Sequence, residues 1–395
     1  MKSYDILIVG GGTAGMSTAA HLRANFPQRE LSIGIIEPSA KHYYQPLWTV
    51  AGAGVVKKEI TERRTQDCLP PACTWIQEKA ANFYPEDSQL ELASQERIAY
   101  KYLIVAAGIQ LDWDKVEGLQ TTIGKNRVTS NYSYETVDYT WQCIQETRDG
   151  NAIFTQPAMP IKCAGAPQKI CYLAEDYFRK HRLRDQIDVR FCSVGPAIFG
   201  VPKYRAALEK VVERKKISTY FEHELIKVDG EAKRAYFRKV SDGEEVVMPF
   251  SMLHVTPPMS SPDFIKQSPL ADQAGWVEVD KHSLQHLRYP NVFSLGDVSS
   301  LPCAKTGAAI RKQVPVLVKN LLSYIDHDEL KAHYNGYGSC PLVTGYGSVI
   351  FAEFDYDGPD ETFPFDQAEE RFSMYMLKVY GLPKLYWHGM LKGKA

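Results

Sequence analysis

Residues 4–15 read Tyr4-Asp5-Ile6-Leu7-Ile8-Val9-Gly10-Gly11-Gly12-Thr13-Ala14-Gly15, and this stretch decides the fold. An apolar run leads directly into a Gly-x-Gly-x-x-Gly turn, and helix-forming residues follow it. The glycines of such a turn allow a sharp bend, close approach to a pyrophosphate and close packing of helix on strand. The pattern predicts a strand, turn and helix that bind a dinucleotide at the helix N-terminus, through Gly10, Gly12, Thr13, Ala14 and Gly15.

The next predicted strand, Leu31–Glu37, ends in a carboxylate. At this position a carboxylate accepts hydrogen bonds from a ribose and repels a 2′-phosphate. Glu37 therefore indicates an adenosine without a 2′-phosphate.

Three later segments fit the same predicted domain. Tyr102–Gly108 is an apolar strand that ends in small residues, so Gly108 permits close approach of a ligand. Val292–Val298 is a short strand containing Gly296 and Asp297. A predicted helix from Thr306 to Leu322 follows, and its positive N-terminal end, with Lys305 just before it, would stabilise negative charge on a ligand.

The segment from about Asn151 to Pro258 alternates strand-like and helix-like runs before the Gly296-Asp297 strand. The predicted fold class is therefore α/β, with two Rossmann-like dinucleotide-binding domains, the second inserted in the first, plus a C-terminal amphipathic membrane-associating segment. The expected boundaries are residues 1–112 with 280–330 for the first domain, 113–279 for the second, and 331–395 for the C-terminal region.

The second predicted domain lacks a glycine fingerprint of its own. Where a flavoprotein that uses NADH would repeat the motif, the chain reads Met159-Pro160-Ile161-Lys162-Cys163-Ala164-Gly165-Ala166-Pro167. A cysteine flanked by prolines cannot replace the glycines that approach a nicotinamide dinucleotide. We therefore expect a flavoprotein whose electrons do not arrive as hydride from NADH.

Composition excludes several classes of protein. Basic and acidic residues number 46 and 47, for a net charge of −1, which argues against a nucleic-acid binder. No apolar run approaches the roughly 18 residues of a membrane-spanning helix. Eight cysteines without a Cys-x-x-Cys pair indicate neither a disulfide scaffold nor a metal site. No signal peptide precedes the first strand. We therefore expect the protein to lie on the cytoplasmic face of a bacterial membrane.

The tail beyond Glu370 mixes apolar and aromatic residues with a basic fringe that includes Lys378, Lys384 and Lys392. This composition is typical of a segment that lies in the membrane interface, and it predicts a peripheral, monotopic membrane protein. Gly381-Leu382-Pro383 would divide the tail into two short helices. Docking of those helices on the protein body is the alternative interpretation.

Two cysteine motifs, Ile161–Lys169 and Ser339–Tyr346, stand beside the dinucleotide-binding pattern. With them the chain resembles the sulfide:quinone oxidoreductases of the type II branch, in the two-dinucleotide-binding-domain flavoprotein superfamily. The resemblance implies an FAD enzyme that oxidises hydrogen sulfide to sulfane sulfur and passes two electrons to a membrane quinone of the ubiquinone, plastoquinone or menaquinone type. It implies that Cys163 and Cys340 are the redox pair, and that Lys305, in a Leu-Pro-x-x-Lys-Thr stretch, lies by the flavin.

Sulfide oxidation needs an electrophilic sulfur, which a disulfide or polysulfide bridge between Cys163 and Cys340 would supply. A cysteine acts in such chemistry as its anion, so we expect an electropositive and partly exposed setting, with Lys162 contributing charge. The segment around Cys340, Gly336–Pro341, is typical of a loop. The other cysteines are interpreted as packing residues.

A quinone pocket should be aromatic and open towards lipid. Its candidates are Phe351, Phe363, Phe365, Tyr375, Tyr386 and Trp387. The sulfane-sulfur acceptor is left open among sulfite, glutathione, sulfide and cyanide, and a homo-oligomer is compatible with the sequence.

Three other functions compete with this hypothesis. A type II NADH dehydrogenase would also combine FAD, quinone and an amphipathic tail, but it requires the second glycine fingerprint. The flavin subunit of a flavocytochrome c sulfide dehydrogenase should be exported and lack the basic aromatic tail. A non-catalytic flavin-binding scaffold would not need either cysteine.

Overall fold

Two sheets, the first mixed and the second parallel, form the framework of the computed structural model, which describes residues 1–395. In the first sheet Lys2–Val9 lies between Ile33–Ile36 and Arg97–Val105, and all three strands run parallel. The first residues of Arg97–Val105 pair with the antiparallel strand Gln89–Leu92. Its last residues pair in parallel with Val292–Ser294. The remaining strands of this sheet are Cys73–Ile76, Ala80–Tyr84 and Gln89–Leu92.

The second sheet has five parallel strands, and all of them come from residues between Arg97–Val105 and Val292–Ser294 of the first sheet. In spatial order these are Val128–Thr129, Met252–His254, Gly150–Gln156, Ile187–Ser193 and Ser218–Phe221. Ile33–Ile36 and the last four residues of Lys2–Val9 are apolar and buried, as expected where helices cover both faces of parallel strands.

Smaller antiparallel units complete the fold. A hairpin of Gly338–Gly345 and Ser348–Phe354 pairs Cys340 with Ala352; we call it the cysteine hairpin. A three-stranded sheet contains His223–Asp229, Arg234–Lys239 and Glu245–Pro249. Two short pairs join Lys41–Tyr43 to Glu62–Arg64, and Gln110–Leu111 to Met259–Ser260.

The helices pack around these sheets. The fingerprint helix is Thr13–Asn25, and the predicted helix after Lys305 runs over Gly307–His327. The others are Trp48–Ala51, Thr65–Cys68, Leu119–Thr122, Val137–Glu146, Ala166–Lys180, Pro202–Arg214, Asp263–Lys266, Phe372–Met376 and Leu382–His388. No helix is both long and apolar enough to span a bilayer.

The C-terminal tail is amphipathic, with one face packed against the body and one face open. A π-helical turn over Leu377–Gly381 connects the last two helices. The packed side includes Tyr375, Val379, Tyr386 and Trp387, all buried. The open side carries Phe372, Met376, Tyr380 and Leu385, which are 64%, 41%, 53% and 37% exposed. Lys378, assigned above to the basic fringe, is instead buried, so that assignment was wrong.

Candidate active site

A cavity of about 580 Å³ lies where the parallel strands of the first sheet end. The turns after four strands line it, through Gly10, Glu37, Gly108 and Asp297. Ligands of open α/β sheets bind at this edge, outside the carboxyl ends of the strands. The cysteine hairpin and the tail close the other sides of the cavity, so it is one site built by distant parts of the chain.

Each of the fingerprint glycines Gly10, Gly12 and Gly15 has a different structural role. Gly10 has a φ of +106°, and a Cβ there would lie 2.3 Å from the carbonyl oxygen of Ala106. A Cβ on Gly15 would lie 1.8 Å from the carbonyl oxygen of Gly10, so only glycine allows the helix to pack this close. Gly12 faces open space and lines the cavity together with Thr13 and Ala14.

Two carboxylates test whether the cavity fits a flavin adenine dinucleotide. Glu37 accepts hydrogen bonds from the backbone N–H groups of Gly11 and Ser39, at 2.8 Å each, which fixes it beside the fingerprint. Oδ1 of Asp297 is buried and has no hydrogen-bond partner within the protein. A buried oxygen of this kind requires a donor, such as a ligand hydroxyl. With the open glycine turn, these residues fit FAD.

Lys305 is a buried residue rather than a solvated lysine. Its ammonium donates to the carbonyl oxygens of Asp297 and Ser299, at 2.6 and 3.2 Å, and lies 4.0 Å from the centre of the Trp276 ring. The helix that follows is capped by Thr306, whose hydroxyl accepts from the backbone N–H of Ala309. Positive charge and a helix N-terminus therefore meet at the cavity wall.

Gly108 and Gly296 contribute in different ways. Gly108 lines the cavity with a φ of +74° and has open space around it. Gly296 packs behind the site: a Cβ there would lie 3.1 Å from that of Ala14, and its N–H donates to Gln313. Gly296 and Gly15 thus support the cofactor turn from behind.

Cys163 and Cys340 meet at the cavity, with their sulfurs 3.9 Å apart. Cys163 has a φ of +59°, which is uncommon for a side chain other than glycine and recurs at functional sites. Its N–H donates to the carbonyl oxygen of Lys305 at 2.9 Å, so the cysteine is tied directly to the cofactor side of the cavity. Cys340 is buried on a strand of the cysteine hairpin, so the loop predicted there was wrong.

Gly165 makes the approach of the two sulfurs possible. A Cβ at this position would lie 2.5 Å from Sγ of Cys340 and 2.5 Å from a methyl of Leu342. Both neighbours belong to the well-packed hairpin, so a methyl group at position 165 must displace Cys340.

We therefore predict that Gly165→Ala separates the sulfurs of Cys163 and Cys340 without unfolding the protein. If these sulfurs take part in the sulfide-dependent flavin reduction that the family resemblance implies, its rate should fall by about tenfold or more, which corresponds to a loss of roughly 1.4 kcal/mol. Stopped-flow absorbance checks the rate, and Gly200→Ala, at a position with open space, is the control. An unchanged rate in Gly165→Ala would show that the close contact is unimportant.

Lys169 supplies the positive charge that sequence analysis assigned to Lys162. Its ammonium lies 3.2 Å from Sγ of Cys163, from a buried position in the first turns of Ala166–Lys180. Lys162 instead donates to Gln45 at 2.7 Å. The expectation for Lys162 was wrong because its ammonium is bound to Gln45, and Lys169 is the lysine that contacts the sulfur.

The pKa values of Cys163 and Cys340 are shifted in opposite directions. The hydrogen bond from Cys340 and the charge of Lys169 hold the pKa of Cys163 well below its usual range. The same contact, together with burial, raises the pKa of Cys340. Burial disfavours the Lys169 ammonium, but the neighbouring sulfurs outweigh this and raise its pKa. The contact therefore favours the thiolate on Cys163 and the proton on Cys340.

Lys378 is a third buried lysine of the site, and it comes from the tail. Its ammonium donates to the carbonyl oxygen of Pro46 at 2.8 Å. Burial and the nearby Lys169 lower the pKa of Lys378 to about 7. An anion that enters beside Cys163 would favour its charged form.

The six aromatic candidates divide into two groups. Phe351, Phe363 and Tyr386 line the cavity, whereas Phe365, Tyr375 and Trp387 do not. Phe351 and Phe363 are in edge-to-face contact, with ring centres 5.4 Å apart. Tyr386 lies by the fingerprint, where its hydroxyl bonds Thr13 and His42.

Sequence analysis missed several lining residues. Lys169 lies in a motif quoted above, in the first turn of the helix that begins three residues after Cys163, but its contact with the sulfur depends on where that helix begins. Lys378, Ser339 and Glu353 carried no local signal, because long-range packing alone brings them to the cavity.

Comparison with known proteins agrees with this architecture. The family model described as pyridine nucleotide-disulphide oxidoreductase matches residues 4–138. The chain is 45% identical over 392 residues to the mitochondrial sulfide:quinone oxidoreductase of Mus musculus, covering 99% of this chain and 87% of that protein. The Dictyostelium discoideum enzyme of the same name is also 45% identical, covering 98% of this chain and 86% of that protein.

Among solved structures, the sulfide:quinone oxidoreductase of Aquifex aeolicus superposes with a TM-score of 0.85 at 19% identity. The superposition covers 100% of this chain and 92% of that one, and it shows a shared fold. The sequence identity to the mouse and Dictyostelium proteins over nearly the whole length carries the assignment. The chain belongs to the sulfide:quinone oxidoreductase family.

Proposed function

We propose that this chain oxidises hydrogen sulfide to sulfane sulfur through Cys163 and Cys340 and transfers two electrons through FAD to a quinone. The observation that carries the proposal is the pair of sulfurs 3.9 Å apart at the cavity, with the Lys169 ammonium 3.2 Å from one of them. A cation beside a thiol stabilises the anion that sulfur exchange requires. Family membership supports the substrates, sulfide and quinone.

The chemistry starts from the oxidised cysteine pair. Hydrosulfide attacks one sulfur of the bridge, so that one S–S bond breaks while another forms, and the products are a cysteine persulfide and a cysteine thiolate. The Lys169 ammonium stabilises the anionic sulfur and keeps it from taking a proton. Loss of the outer sulfur to an acceptor such as sulfite, glutathione, sulfide or cyanide, with removal of two electrons, restores the bridge.

FAD, when bound, supplies the two-electron acceptor between the sulfurs and the quinone. Gly10, Gly12, Thr13 and Ala14 would hold its pyrophosphate, and Glu37 its adenosine ribose. Asp297, with its unpartnered oxygen, would accept a hydrogen bond from the ribityl side. Lys305 and the N-terminus of Gly307–His327 would stabilise negative charge on the ring.

The domain assignment supports this division of work. We infer that residues 113–279 form a second Rossmann-like domain inserted in the FAD-binding domain. The strands of its parallel sheet come, along the chain, between two neighbouring strands of the first sheet. Cys163 follows the strand Gly150–Gln156, where the glycine turn of a nicotinamide site would stand. The domain thus places a sulfur where the glycine turn of an NADH dehydrogenase would bind NADH, the hydride donor.

We also infer that the protein is a peripheral membrane protein, anchored by the open side of the tail. Phe372, Met376 and Tyr380 are spaced by four residues and lie exposed on one side, with Lys384 and Lys392 exposed nearby. Apolar and aromatic groups with lysines are typical of helices in the membrane interface. Leu377, Leu382 and Leu385 line the cavity from the same segment, so a quinone could enter from the lipid.

Replacing Phe372, Met376 and Tyr380 together by serine should weaken binding to anionic liposomes by about a hundredfold or more, since each lost side chain contributes roughly 1 kcal/mol or more. Cosedimentation measures the binding. The control is Leu287→Ser, because Leu287 is 63% exposed elsewhere on the surface. Full binding of the triple variant would place the anchor in another part of the protein.

A steady-state assay tests the proposed function. We expect purified protein to reduce a soluble short-chain quinone with sulfide as the donor and not with NADH. Quinone reduction driven by NADH, with no response to sulfide, would instead support an NADH dehydrogenase.

A further inference from the structure

The two faces of the cysteine hairpin carry different functional groups. Successive side chains of a strand alternate between faces, so Ser339 and Pro341 face opposite to Cys340. Across the hairpin, Ser339 pairs with Glu353 and Cys340 pairs with Ala352. Cys340 contacts the redox partner on one face, whereas Ser339 and Glu353 line the cavity on the other.

Glu353 is a buried carboxylate in this otherwise aromatic part of the cavity, only 2% exposed. Oε2 accepts from the Thr362 hydroxyl at 2.6 Å and from Gln367 Nε2 at 3.0 Å. Oε1 accepts a short hydrogen bond from the hydroxyl of Tyr337. Phe351 and Phe363 line the cavity beside it. None of these contacts has a role in the sulfur chemistry, so the carboxylate needs a separate explanation.

Ser339 adds a free hydrogen-bonding group next to that carboxylate. Its hydroxyl is buried, 95% of the residue being hidden from solvent, and it has no partner within the protein. Cβ atoms of directly paired residues on a hairpin lie about 4.5–5.5 Å apart, so Ser339 and Glu353 can contact the same ligand atom or its neighbour. A carbonyl oxygen is the ligand group that an unpaired hydroxyl donor fits.

We propose that Ser339 and Glu353 bind one carbonyl end of the quinone and that Glu353 delivers the proton which that oxygen takes up on reduction. This inference rests on the proposed function and deepens it at the quinone end. Quinone reduction takes two electrons, which sulfide supplies, and two protons, which come from water. Ser339 orients the carbonyl. Glu353 takes up a proton from the Thr362 hydroxyl, which water replenishes, and passes it to the quinone oxygen.

Thr362 connects Glu353 to solvent. It is an exposed residue at the edge of the cavity, and its hydroxyl contacts the carboxylate directly. After the transfer, an O–H bond has broken at Glu353 and one has formed on the quinone oxygen. Water returns a proton to the carboxylate through the Thr362 hydroxyl, which donates one proton as it accepts another. The second quinone oxygen takes its proton from water at the cavity mouth.

The test separates the two half-reactions of the flavin-loaded enzyme. In Glu353→Gln, reoxidation of reduced flavin by a soluble quinone should slow by about 100-fold, the lower end of what a positioned proton donor contributes. Reduction of the flavin by sulfide without quinone should keep the wild-type rate. Glu353→Asp, which keeps the carboxyl group, should recover part of the loss. Glu361→Gln is the matched control, because Glu361 contacts Lys203 and Tyr204 outside the cavity.

Two further variants test the proposal if Glu353→Gln does not fold. Thr362→Val removes the hydroxyl from an exposed position and should slow reoxidation by about tenfold with a larger solvent deuterium isotope effect. Ser339→Ala should raise the KM for quinone more than it lowers kcat. Wild-type reoxidation rates and isotope effects in Glu353→Gln and Thr362→Val would overturn the proposal.

Dithionite-reduced flavin keeps this test independent of the proposed function. Reoxidation by quinone requires no sulfide when the flavin has been reduced chemically. If sulfide fails to reduce the wild-type flavin but the Glu353 effect is present, the sulfide assignment is wrong and the proton-delivery proposal holds. If sulfide reduces the wild-type flavin and the flavin of Glu353→Gln reoxidises at the normal rate, the sulfide assignment holds and the proton-delivery proposal is wrong.

Discussion

Replacing Cys163 or Cys340 by serine is expected to lower sulfide-dependent quinone reduction by about a thousandfold or more, the order of loss when an enzyme is deprived of its covalent nucleophile. The expected loss is equally large for both cysteines. In the proposed mechanism each sulfur forms one side of the bridge that hydrosulfide attacks, and a hydroxyl cannot replace either side. Steady-state rates with a soluble quinone measure the effect.

Cys73→Ser is the control for the two serine variants, because Cys73 lies at the start of a strand in the first sheet and is partly exposed. Flavin content should stay at the wild-type level in all three variants, since none of these cysteines belongs to the fingerprint turn. Activity retained in Cys340→Ser would mean that Cys163 works without a partner sulfur.

Lys169→Met is expected to raise the pKa of the Cys163 thiol by about one unit or more, which corresponds to roughly 1.4 kcal/mol. The ammonium 3.2 Å from the sulfur stabilises the thiolate, so its removal shifts the equilibrium towards the thiol. At a pH below the new value, less thiolate is present, and alkylation of Cys163 should slow by about tenfold. The pH dependence of iodoacetamide labelling, followed by mass spectrometry of the Cys163 peptide, measures the shift.

Lys162→Met is the matched control for this variant. Lys162 is adjacent to Cys163 in sequence, but its ammonium contacts Gln45. The labelling profile of Cys163 should therefore change little. If Lys162→Met shifts the profile and Lys169→Met does not, the assignment of the cation is wrong.

Most of the first domain could be predicted because its signals are local. The fingerprint, the carboxylate of Glu37 and the small residues before Gly108 each belong to one strand and the turn that follows it. Parallel strands buried on both faces are apolar runs, so the predicted strands Tyr102–Gly108 and Asn151–Phe154 overlap the observed Arg97–Val105 and Gly150–Gln156.

The cysteine hairpin illustrates what could not be predicted. Its sequence contains Gly338, Pro341 and Gly345, which are typical of loops, although the segment is a buried strand. Pairing with Ser348–Phe354 stabilises the strand, and long-range pairing leaves no local signal. The assignment of Cys340 therefore depended on the family resemblance, and the opposite face, with Ser339 and Glu353, was not predicted.

The charges of the site were harder to predict than its sulfurs. Lys162 and Lys169 are both near Cys163 in sequence, and the choice depends on where the helix Ala166–Lys180 begins. Lys378 resembled a lipid-facing lysine by composition. Its burial follows from the way the tail packs over the cavity, which is a property of the whole fold.

Anaerobic mixing of the flavin-loaded protein with sulfide tests the central claim most directly. We predict that the flavin absorbance bleaches rapidly with sulfide in the wild type, does not bleach with NADH, and bleaches at least about a thousandfold more slowly with sulfide in Cys163→Ser. Rapid bleaching by NADH, or bleaching by sulfide that does not depend on Cys163, would contradict the account.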